Sequence, residues 1–286
     1  MDRVCILERH ASDGGVPHER ATAALGAPGF SRASARRRGH RLSDDPGPHA
    51  QTLAPTIATS GSGLVARLHA VGEERYHDKH PFHQRLVAGA LNRDQVRAWV
   101  ANRYYYQKQI PVKDAAVLSN LPSAAHRRVW ISRIFDHDGA GGELGGTVSW
   151  LALARAVGLD EDEVLSERAV APGTRFAVDA YVTFARTRPW IESVASSLTE
   201  LFGPPVMERR IAAIVEKYPW IDPAGLAYFE HRIPLARRDA DSALAWVLQE
   251  ATSPEIEQRC VDALRFKCDV LWCILDATAL ASGVFA

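Results

Sequence analysis

The feature that most constrains this chain is a helical spacing of apolar residues that continues from residue 62 to the C-terminus. Apolar side chains recur three and four positions apart, and no stretch alternates apolar with polar residues as a half-buried strand does. Ser62 and Asn92 each stand just before an apolar stripe, where helix caps are expected. Because the connections are short, we expect an all-α fold, a compact antiparallel helical bundle. Later predicted helices span about 172–187, 190–202, 205–218, 223–250 and 254–281.

Residues 1–60 differ in composition from the rest of the chain. They contain one aromatic residue, no lysine and eight arginines, with "SRASARRRGHR" as a basic centre among many Gly, Pro, Ser and Ala residues. Such a stretch cannot bury enough apolar area to offset the entropy lost on ordering. We therefore expect a disordered extension over 1–60 and a single helical catalytic domain over 61–286. A solvated basic run is favoured over a nucleic-acid or targeting signal.

The overall charge and the cysteine content limit which binding partners and which cellular compartment we expect. Lys plus Arg and Asp plus Glu both total 34, so no global field attracts nucleic acid or an anionic membrane. No apolar run approaches the ~20 residues that span a bilayer. The four cysteines are Cys5, Cys260, Cys268 and Cys273, a spacing that suits neither a disulfide framework nor a metal knuckle. We expect a soluble, cytoplasmic protein without nucleic-acid or membrane partners.

The segment "WVANRYYYQKQIPVKDAAVL" carries an apolar stripe that becomes polar in its middle. Val96, Trp99 and Val100 begin the stripe and Ile110 and Val117 continue it. The polar positions between and beside them are Arg103, Tyr106, Gln107, Lys113 and Asp114. Burying an unpaired polar group costs about 1–3 kcal/mol, so these side chains require partners from other helices or a polar ligand. A core held by salt bridges is the structural alternative.

Other predicted helices repeat this interruption. Lys267 lies between Leu264 and Leu271 on one apolar stripe. One-turn spacings also join Arg133 to His137, Tyr228 to Arg232 and Arg210 to Ile214. Each of these residues alone is typical of a surface position. Together they predict a central cavity lined by Arg, Lys, Tyr and His, which suits a small planar ligand with several carboxylates.

Several longer segments carry a resemblance to a known family: "RYHDKHPFH", "WVANRYYYQKQIPVKDAA", "RIFDHDG", "LSERAVAPGTRFAVDAY", "SSLTELF" and "LRFKCDVLWCILDA". Over about residues 65–282, the chain resembles the pyrroloquinoline-quinone synthases. The resemblance implies a haem-oxygenase-like fold without haem and a homodimer. It implies an oxidoreductase that uses O2 to close a ring in, and oxidise, a bicyclic precursor. The expected products are pyrroloquinoline quinone (PQQ) and H2O2, formed without a metal or organic cofactor.

The resemblance also implies roles for individual residues. The positions expected nearest the chemistry are His137 as general base, with Asp136 or Asp138 orienting its ring, and Tyr228 and Arg232 as binders of O2-derived anions. The expected substrate-binding positions are Tyr76, His77, Arg103, Tyr106, Gln107, Lys113, Arg133, Tyr181, Arg210 and Lys267. No metal ligands are expected. For His137, the structural alternative is a helix C-terminal histidine that interacts with the helix dipole.

One position departs from the family pattern. In "ELFGPPVMERR" this chain has Met207 where the family has a histidine of the oxygen-handling cluster. Methionine keeps the bulk but can neither transfer a proton nor donate a hydrogen bond. This change keeps open an alternative function, a catalytically impaired protein that binds PQQ or its precursor.

Three other enzyme classes use related helical scaffolds. A di-iron oxygenase requires paired Glu-x-x-His motifs, and only Glu74-x-x-His77 fits that spacing. A haem enzyme would use His77 as axial ligand, although a polar cavity suits haem poorly. A thiaminase-like enzyme would use a mid-chain cysteine, which residues 6–259 lack.

Two remaining motifs receive structural interpretations. His80 and His83 in "HDKHPFH" have a spacing that two metal ligands on one helix also show, but Pro81 marks a helix start, so capping or packing is the favoured role. The glycine-rich "HDGAGGELGG" lacks the strand context of a phosphate loop. We interpret it as a mobile turn near the mouth of the cavity, able to close over the substrate.

Overall fold

The computed structural model describes residues 57–285, and within them the secondary structure is helical. Extended backbone pairs there only in an isolated bridge between Ala140 and Glu143. The all-α prediction is confirmed. In chain order the α-helices of the described part are α1 Ile57–Arg75, α2 Pro81–Val87, α3 Arg93–Asn120, α4 Ala124–Trp130, α5 Ser132–Asp138, α6 Gly146–Ala156, α7 Glu161–Ser166, α8 Pro172–Thr187, α9 Trp190–Ser196, α10 Gly203–Lys217, α11 Ala227–Glu250 and α12 Pro254–Ala281. Short 3-10 segments span His77–Lys79, Ser197–Leu201 and Pro223–Leu226.

Local capping signals explain two of the helix starts. The Asn92 side chain accepts a hydrogen bond from the Gln95 amide at 2.9 Å, and the Gln95 side chain accepts one from the Asn92 amide at 3.0 Å. This reciprocal pair is a capping box, and it confirms Asn92 as the cap of α3. At α2, Nδ1 of His80 accepts a hydrogen bond from the Phe82 amide at 3.0 Å. The capping interpretation of His80 is therefore confirmed.

The predicted start of the first helix is wrong. Helix α1 begins at Ile57, so Ser62 lies inside the helix rather than at its cap. The extension predicted over residues 1–60 lies outside the described residues, apart from 57–60, which are already helical.

Helix α3 contributes to two separate apolar clusters. Its N-terminal turns place Trp99 and Val100 in a cluster that also contains Phe229, on α11. Its C-terminal half places Ile110 and Val117 in a second cluster, built with residues of α1, α8, α9 and α12. The polar turns of α3 lie between these two apolar ends. This division accounts for the interrupted stripe, because each end of the helix has its own core.

The packing of the other helices completes the bundle. α3 and α12 both run along α8, α12 also packs against α1 and α9, and α10 packs against α11. The middle of α3 contains Pro111, which lacks the amide that would bond to the Gln107 carbonyl.

Among residues 57–285, every helix is either too short or too polar to cross a bilayer.

Candidate active site

A buried cavity lies between the two apolar clusters and is lined by members of both. The structure brings twelve of the thirteen predicted site residues together on its wall: Tyr76, His77, Arg103, Tyr106, Gln107, Lys113, His137, Tyr181, Arg210, Tyr228, Arg232 and Lys267. They come from α3, α5, α8, α10, α11 and α12 and from the segment before α2. Arg133 is absent from this lining.

The lining has more hydrogen-bond donors than acceptors to match them. Four of its buried donor atoms have no hydrogen-bond partner: Nδ1 of His77, Nε2 of Gln107, Nε of Arg210 and Nη1 of Arg232. The carboxylate in the same lining, Glu200, is already engaged by arginines, with its Oε2 3.2 Å from Nη1 of Arg133. Buried polar atoms are nearly always satisfied in folded proteins, so a cluster of free donors points to a ligand. Such a ligand must be rich in acceptors.

Three cations at one end of the cavity have no neutralising carboxylate. Among the described residues, no Asp or Glu makes an ion pair with Arg103, Arg210 or Lys267. The Arg103 guanidinium lies 4.1 Å from the centre of the Tyr106 ring. Burial and the nearby charge of Arg103 lower the pKa of Arg210 to about 10, so it stays charged at neutral pH. This cationic end is suited to the carboxylates of a ligand.

Arg210 is positioned by two histidines. Its Nη2 donates to Nε2 of His77 at 3.1 Å and approaches Nδ1 of His83 at 3.3 Å. Burial, followed by the charge of Arg210, lowers the pKa of both imidazoles, that of His83 to about 2. Both rings are therefore neutral at neutral pH. Because Nε2 of His77 accepts from Arg210, its Nδ1 carries the proton and is a free donor. The packing interpretation of His83 is confirmed.

The two buried lysines of the cavity have opposite environments. Nζ of Lys113 lies 2.6 Å from Asp114 Oδ1 and 3.3 Å from Ser197 Oγ. Burial lowers the pKa of Lys113, but the Asp114 carboxylate outweighs it and the net shift is upward. Among the described residues, Nζ of Lys267 makes a hydrogen bond only to a phenol, that of Tyr106, at 2.6 Å. Burial, with added repulsion from Lys113, lowers the pKa of Lys267 well below its ordinary value.

At the other end of the cavity, Arg232 belongs to a buried cluster of opposite charges. Its Nη2 donates to Glu200 at 2.6 Å and to Asp239 at 2.9 Å. Arg133 joins the same cluster, with Nη1 3.2 Å from the Glu200 carboxylate and Nη2 donating to the backbone carbonyl of Asp239 at 2.8 Å. The positive charge at this end is thus already neutralised. Arg133, predicted to bind substrate, is instead placed behind Glu200.

Glu200 and Asp239 are acidic residues that the sequence interpretation missed. Glu200 lines the cavity from the 3-10 segment that follows α9. Burial raises its pKa, against the opposing effect of Arg133 and Arg232. For Asp239, burial also raises the pKa, but the two arginines and Arg238 outweigh it and the net shift is downward. The one-turn spacing of Tyr228 and Arg232 identified the arginine of this cluster. Its carboxylates lie elsewhere, Glu200 in the segment after α9 and Asp239 two turns further along α11.

His137 is held by the backbone of its own helix. Its Nδ1 lies 3.0 Å from the carbonyl oxygen of Arg133. A carbonyl only accepts, so Nδ1 carries the proton and Nε2 keeps its lone pair. The prediction that Asp136 or Asp138 orients the ring is wrong, because the Arg133 carbonyl does so and Asp136 pairs with Arg238 at 2.5 Å. Burial, then the charge of Arg232, lowers the pKa of His137 to about 4.

Tyr228 fixes the orientation of an amide in the lining. Its hydroxyl donates to Oε1 of Gln107 at 3.0 Å, which leaves the amide NH2 of Gln107 as the free donor. The Tyr228 ring also packs edge-on against Trp150, 5.0 Å between centres. These contacts join α11 to α3 and α6 across the cavity.

The glycine-rich turn predicted near the cavity mouth connects α5 to α6. Together with His137, Tyr228 and Arg232 it lines a wider depression that adjoins the cavity. A Cβ at Gly145 would stand 2.3 Å from the His137 carbonyl oxygen, and one at Gly146 would stand 3.2 Å from the Tyr228 ring. These glycines therefore allow the turn to pack directly against the residues predicted to be catalytic. The predicted location of the turn is confirmed.

The chain was compared with known protein families, and residues 65–277 match the model described as the TENA/THI-4/PQQC family. The chain belongs to this family. It is 54% identical over 214 residues to the pyrroloquinoline-quinone synthase of Granulibacter bethesdensis, covering 75% of this chain and 84% of that protein. It is 52% identical over 229 residues to the pyrroloquinoline-quinone synthase of Pseudomonas syringae pv. syringae, covering 80% and 91% respectively.

A solved structure confirms the expected fold. A protein domain from Shewanella denitrificans with a heme oxygenase-like fold aligns with a TM-score of 0.63 and 14% sequence identity, covering 82% of this chain and 96% of that one. The haem-oxygenase-like helical arrangement of this member of the TENA/THI-4/PQQC family is therefore established.

The structure of this TENA/THI-4/PQQC family member also bears on the alternatives. Glu74 is exposed and pairs with Arg265 at 3.1 Å, whereas His77 is buried against Arg210. The Glu74-x-x-His77 pair therefore does not converge on a metal, and His77 is engaged where a haem ligand would have to be free. Neither the di-iron nor the haem alternative is favoured. None of the three described cysteines lines the cavity, so a thiaminase-like thiol is not favoured either.

Met207 lies where the sequence departure predicted an effect on the site. It is buried and lines the cavity from α10. A Cβ on Gly203 would lie 3.4 Å from its terminal methyl group. An apolar thioether therefore occupies part of a wall that is otherwise rich in donors.

Proposed function

We propose that this protein is a pyrroloquinoline-quinone synthase. In this function it closes a ring in a bicyclic precursor and oxidises it with O2, which yields PQQ and H2O2 in the last step of PQQ biosynthesis. The observation that carries the proposal is the surplus of free donors and unpaired cations in one buried cavity. A planar molecule with several carboxylates and carbonyls supplies the acceptors that this wall requires. The names of the reported relatives support the same activity.

In the proposed complex the cationic end of the cavity binds the substrate carboxylates. Arg103 and Arg210 offer guanidinium groups that match a carboxylate in bidentate fashion. Tyr76, Tyr106 and Tyr181 frame this end with buried rings. Burial raises the pKa of Tyr76 and Tyr106, so both phenols stay protonated and act as donors. The ligand is thereby oriented with its ring system toward His137.

The chemistry requires a base beside the bound rings. His137 is neutral at neutral pH and keeps its lone pair on Nε2, so we assign it proton abstraction from the precursor. The deprotonated dioxo substrate is electron-rich enough to reduce O2 without a metal or organic cofactor. In each such step two electrons pass from substrate to O2, and two protons complete H2O2. Tyr228 and Arg232 are assigned to the O2-derived anion as its charge develops.

The assembly and compartment are further parts of the proposal. We propose a homodimer, supported by two well-exposed apolar side chains, Phe176 on α8 and Leu280 on α12. A Cβ on Gly173 would lie 2.9 Å from that of Ala277, so α8 and α12 meet near these two residues. We propose a cytoplasmic location, supported by the free thiols of Cys260, Cys268 and Cys273.

The test is anaerobic mixing of the purified protein with the bicyclic precursor, followed by admission of O2. The quinone absorbance and H2O2 are measured against protein concentration, and metal content is measured on the same sample. We expect several turnovers and peroxide release without added metal, with His137→Ala as the inactive comparison. A spectral change that stops at one equivalent would favour the alternative of a binding protein without turnover. That alternative is not favoured by the similarity to proteins named synthases.

A further inference from the structure

Lys267 is the most deeply buried cation of the cavity, and no carboxylate of the described residues pairs with it. Its exposed fraction is 2%. Its Nζ lies 2.6 Å from the Tyr106 hydroxyl, 3.7 Å from the centre of the Tyr181 ring and 4.2 Å from that of Tyr106. Within residues 57–285, no carboxylate is in ion-pair contact with it. Among the described residues, its close partners are therefore two aromatic rings and one phenol hydroxyl.

Burial of an unpaired ammonium is costly. An ion moved into a protein interior loses several kcal/mol of hydration, and a group in that position adopts its neutral form instead. Lys113 shows the contrast within the same cavity, because Asp114 contacts its ammonium at 2.6 Å. Lys113 thus has a carboxylate in contact with its ammonium, whereas Lys267 has none among the described residues.

Around Lys267, the repulsion from Lys113 and Arg103 outweighs the opposite effects of Cys268 and Glu200 on its pKa. The titratable and charged groups that face it are Arg103, Tyr106 and Lys113 on α3, Tyr181 on α8, Glu200 in the 3-10 segment after α9, His77 before α2, and Cys268 on its own helix. Glu200 is already paired with Arg133 and Arg232. Burial keeps the Tyr106 phenol and the Cys268 thiol protonated by raising the pKa of each. Among the described residues, the carboxylate nearest in effect to Lys267 is therefore engaged by arginines.

We propose that Lys267 is an uncharged amine in the free protein and takes up one proton from solvent when a carboxylate of the ligand enters the cavity. This inference rests on the proposed function, since the PQQ precursor and PQQ supply that carboxylate. The amine gains H⁺ from water or buffer and becomes an ammonium, and no other bond changes. Binding then requires a proton, so affinity falls by up to about tenfold for each unit of rising pH once the free amine is the stable form.

The first test measures the amine directly in the free protein. Lysine labelled with ¹³C at Cε gives separate NMR signals, which Lys267→Arg and Lys113→Arg assign. We expect the Lys267 signal at the position of a neutral amine at pH 8, while the Lys113 signal stays at that of an ammonium. A Lys267 signal at the ammonium position throughout pH 6–9 overturns the proposal.

The second test measures proton uptake by calorimetry with PQQ as the probe, in buffers of different ionisation enthalpy. We expect uptake of about one proton per site in the wild type and none in Lys267→Arg, whose guanidinium is charged beforehand. Undiminished uptake in Lys267→Arg assigns the proton to a histidine and overturns the proposal. If PQQ binds to the wild type without proton uptake, the Lys267 proposal is overturned and the proposed function is unaffected. If PQQ does not bind, both the Lys267 proposal and the proposed function are refuted.

Discussion

The Nδ1 atom of His137 lies 3.0 Å from the carbonyl oxygen of Arg133, one helical turn earlier. This contact fixes the tautomer of a buried imidazole without a carboxylate, because the acceptor belongs to the helix itself. The ring is therefore oriented by the backbone, while the nearby carboxylates pair with arginines. The base and the charged cluster are structurally separate parts of one cavity.

The lowered pKa of His137 predicts the pH dependence of turnover. A depressed pKa keeps the imidazole neutral, and so active as a base, at every pH above about 4. The acid limb of kcat/KM is expected near pH 4 rather than near the ordinary histidine value of about 6.5. His137→Ala is expected to lower kcat by about 10²–10⁴-fold and to leave PQQ affinity within a few-fold of wild type. An acid limb near 6.5 in the wild type would contradict this reasoning.

Met207 predicts a defect in the steps that handle oxygen. A thioether neither transfers a proton nor donates a hydrogen bond to a developing peroxide. Met207→His is expected to raise the rate of the final oxidation, measured as O2 consumed and H2O2 released per site. Met207→Leu is the matched control, since it changes shape but adds no proton carrier. Equal or lower turnover in Met207→His would show that Met207 does not limit the reaction.

The two buried lysines predict losses of stability of different size. Lys113→Met removes the partner of the buried Asp114 carboxylate and is expected to lower the free energy of unfolding by about 3–5 kcal/mol. Lys267→Met removes an amine without a counter-charge and leaves only the Tyr106 hydroxyl without its contact, so a loss of about 1 kcal/mol is expected. Urea unfolding at neutral pH measures both. Equal losses would mean that Lys267 has an anionic partner in solution.

The turn between α5 and α6 predicts a steric effect on the site. Gly145→Ala places a Cβ against the His137 carbonyl and the Gly139 amide, at 2.3 and 2.4 Å. We expect a loss of about 1–3 kcal/mol in the free energy of unfolding, together with a lower kcat, because the end of α5 is displaced. Gly63→Ala is the control, since nothing lies within 4 Å of its Cβ and alanine favours a helix. Its expected effect is neutral or stabilising.

The same turn is expected to respond to ligand. It lines the depression beside His137, Tyr228 and Arg232. Hydrogen exchange of residues 139–146 is expected to slow at least several-fold when PQQ binds, with α1, which contributes no residue to the cavity lining, as the unchanging reference. Unaltered exchange in the turn would argue that it does not close over the ligand.

The sequence by itself determined the helical class, most helix ends and the residue types of the cavity. Helical spacing and local caps are short-range signals, so the sequence predicts Asn92 as a helix cap and favours capping or packing for His80. A polar interruption in an apolar stripe is also visible without coordinates, because burial demands a partner for each donor. For this reason the sequence predicts that Gln107 and Lys267 face a shared interior, and both line the cavity.

Only the tertiary structure decided which of these groups are neutralised. Lys113 and Lys267 both interrupt apolar stripes, yet Lys113 contacts the carboxylate of its neighbour Asp114 and Lys267 contacts a phenol. The partners of Arg232 come from the segment after α9 and from two turns along α11, and Arg133 lies behind them instead of on the wall. The charge pairing of Glu200 with Arg133 and Arg232 acts over a few ångströms between segments distant in sequence. Its outcome, and with it the protonation state of each group, follows from packing rather than from spacing along the chain.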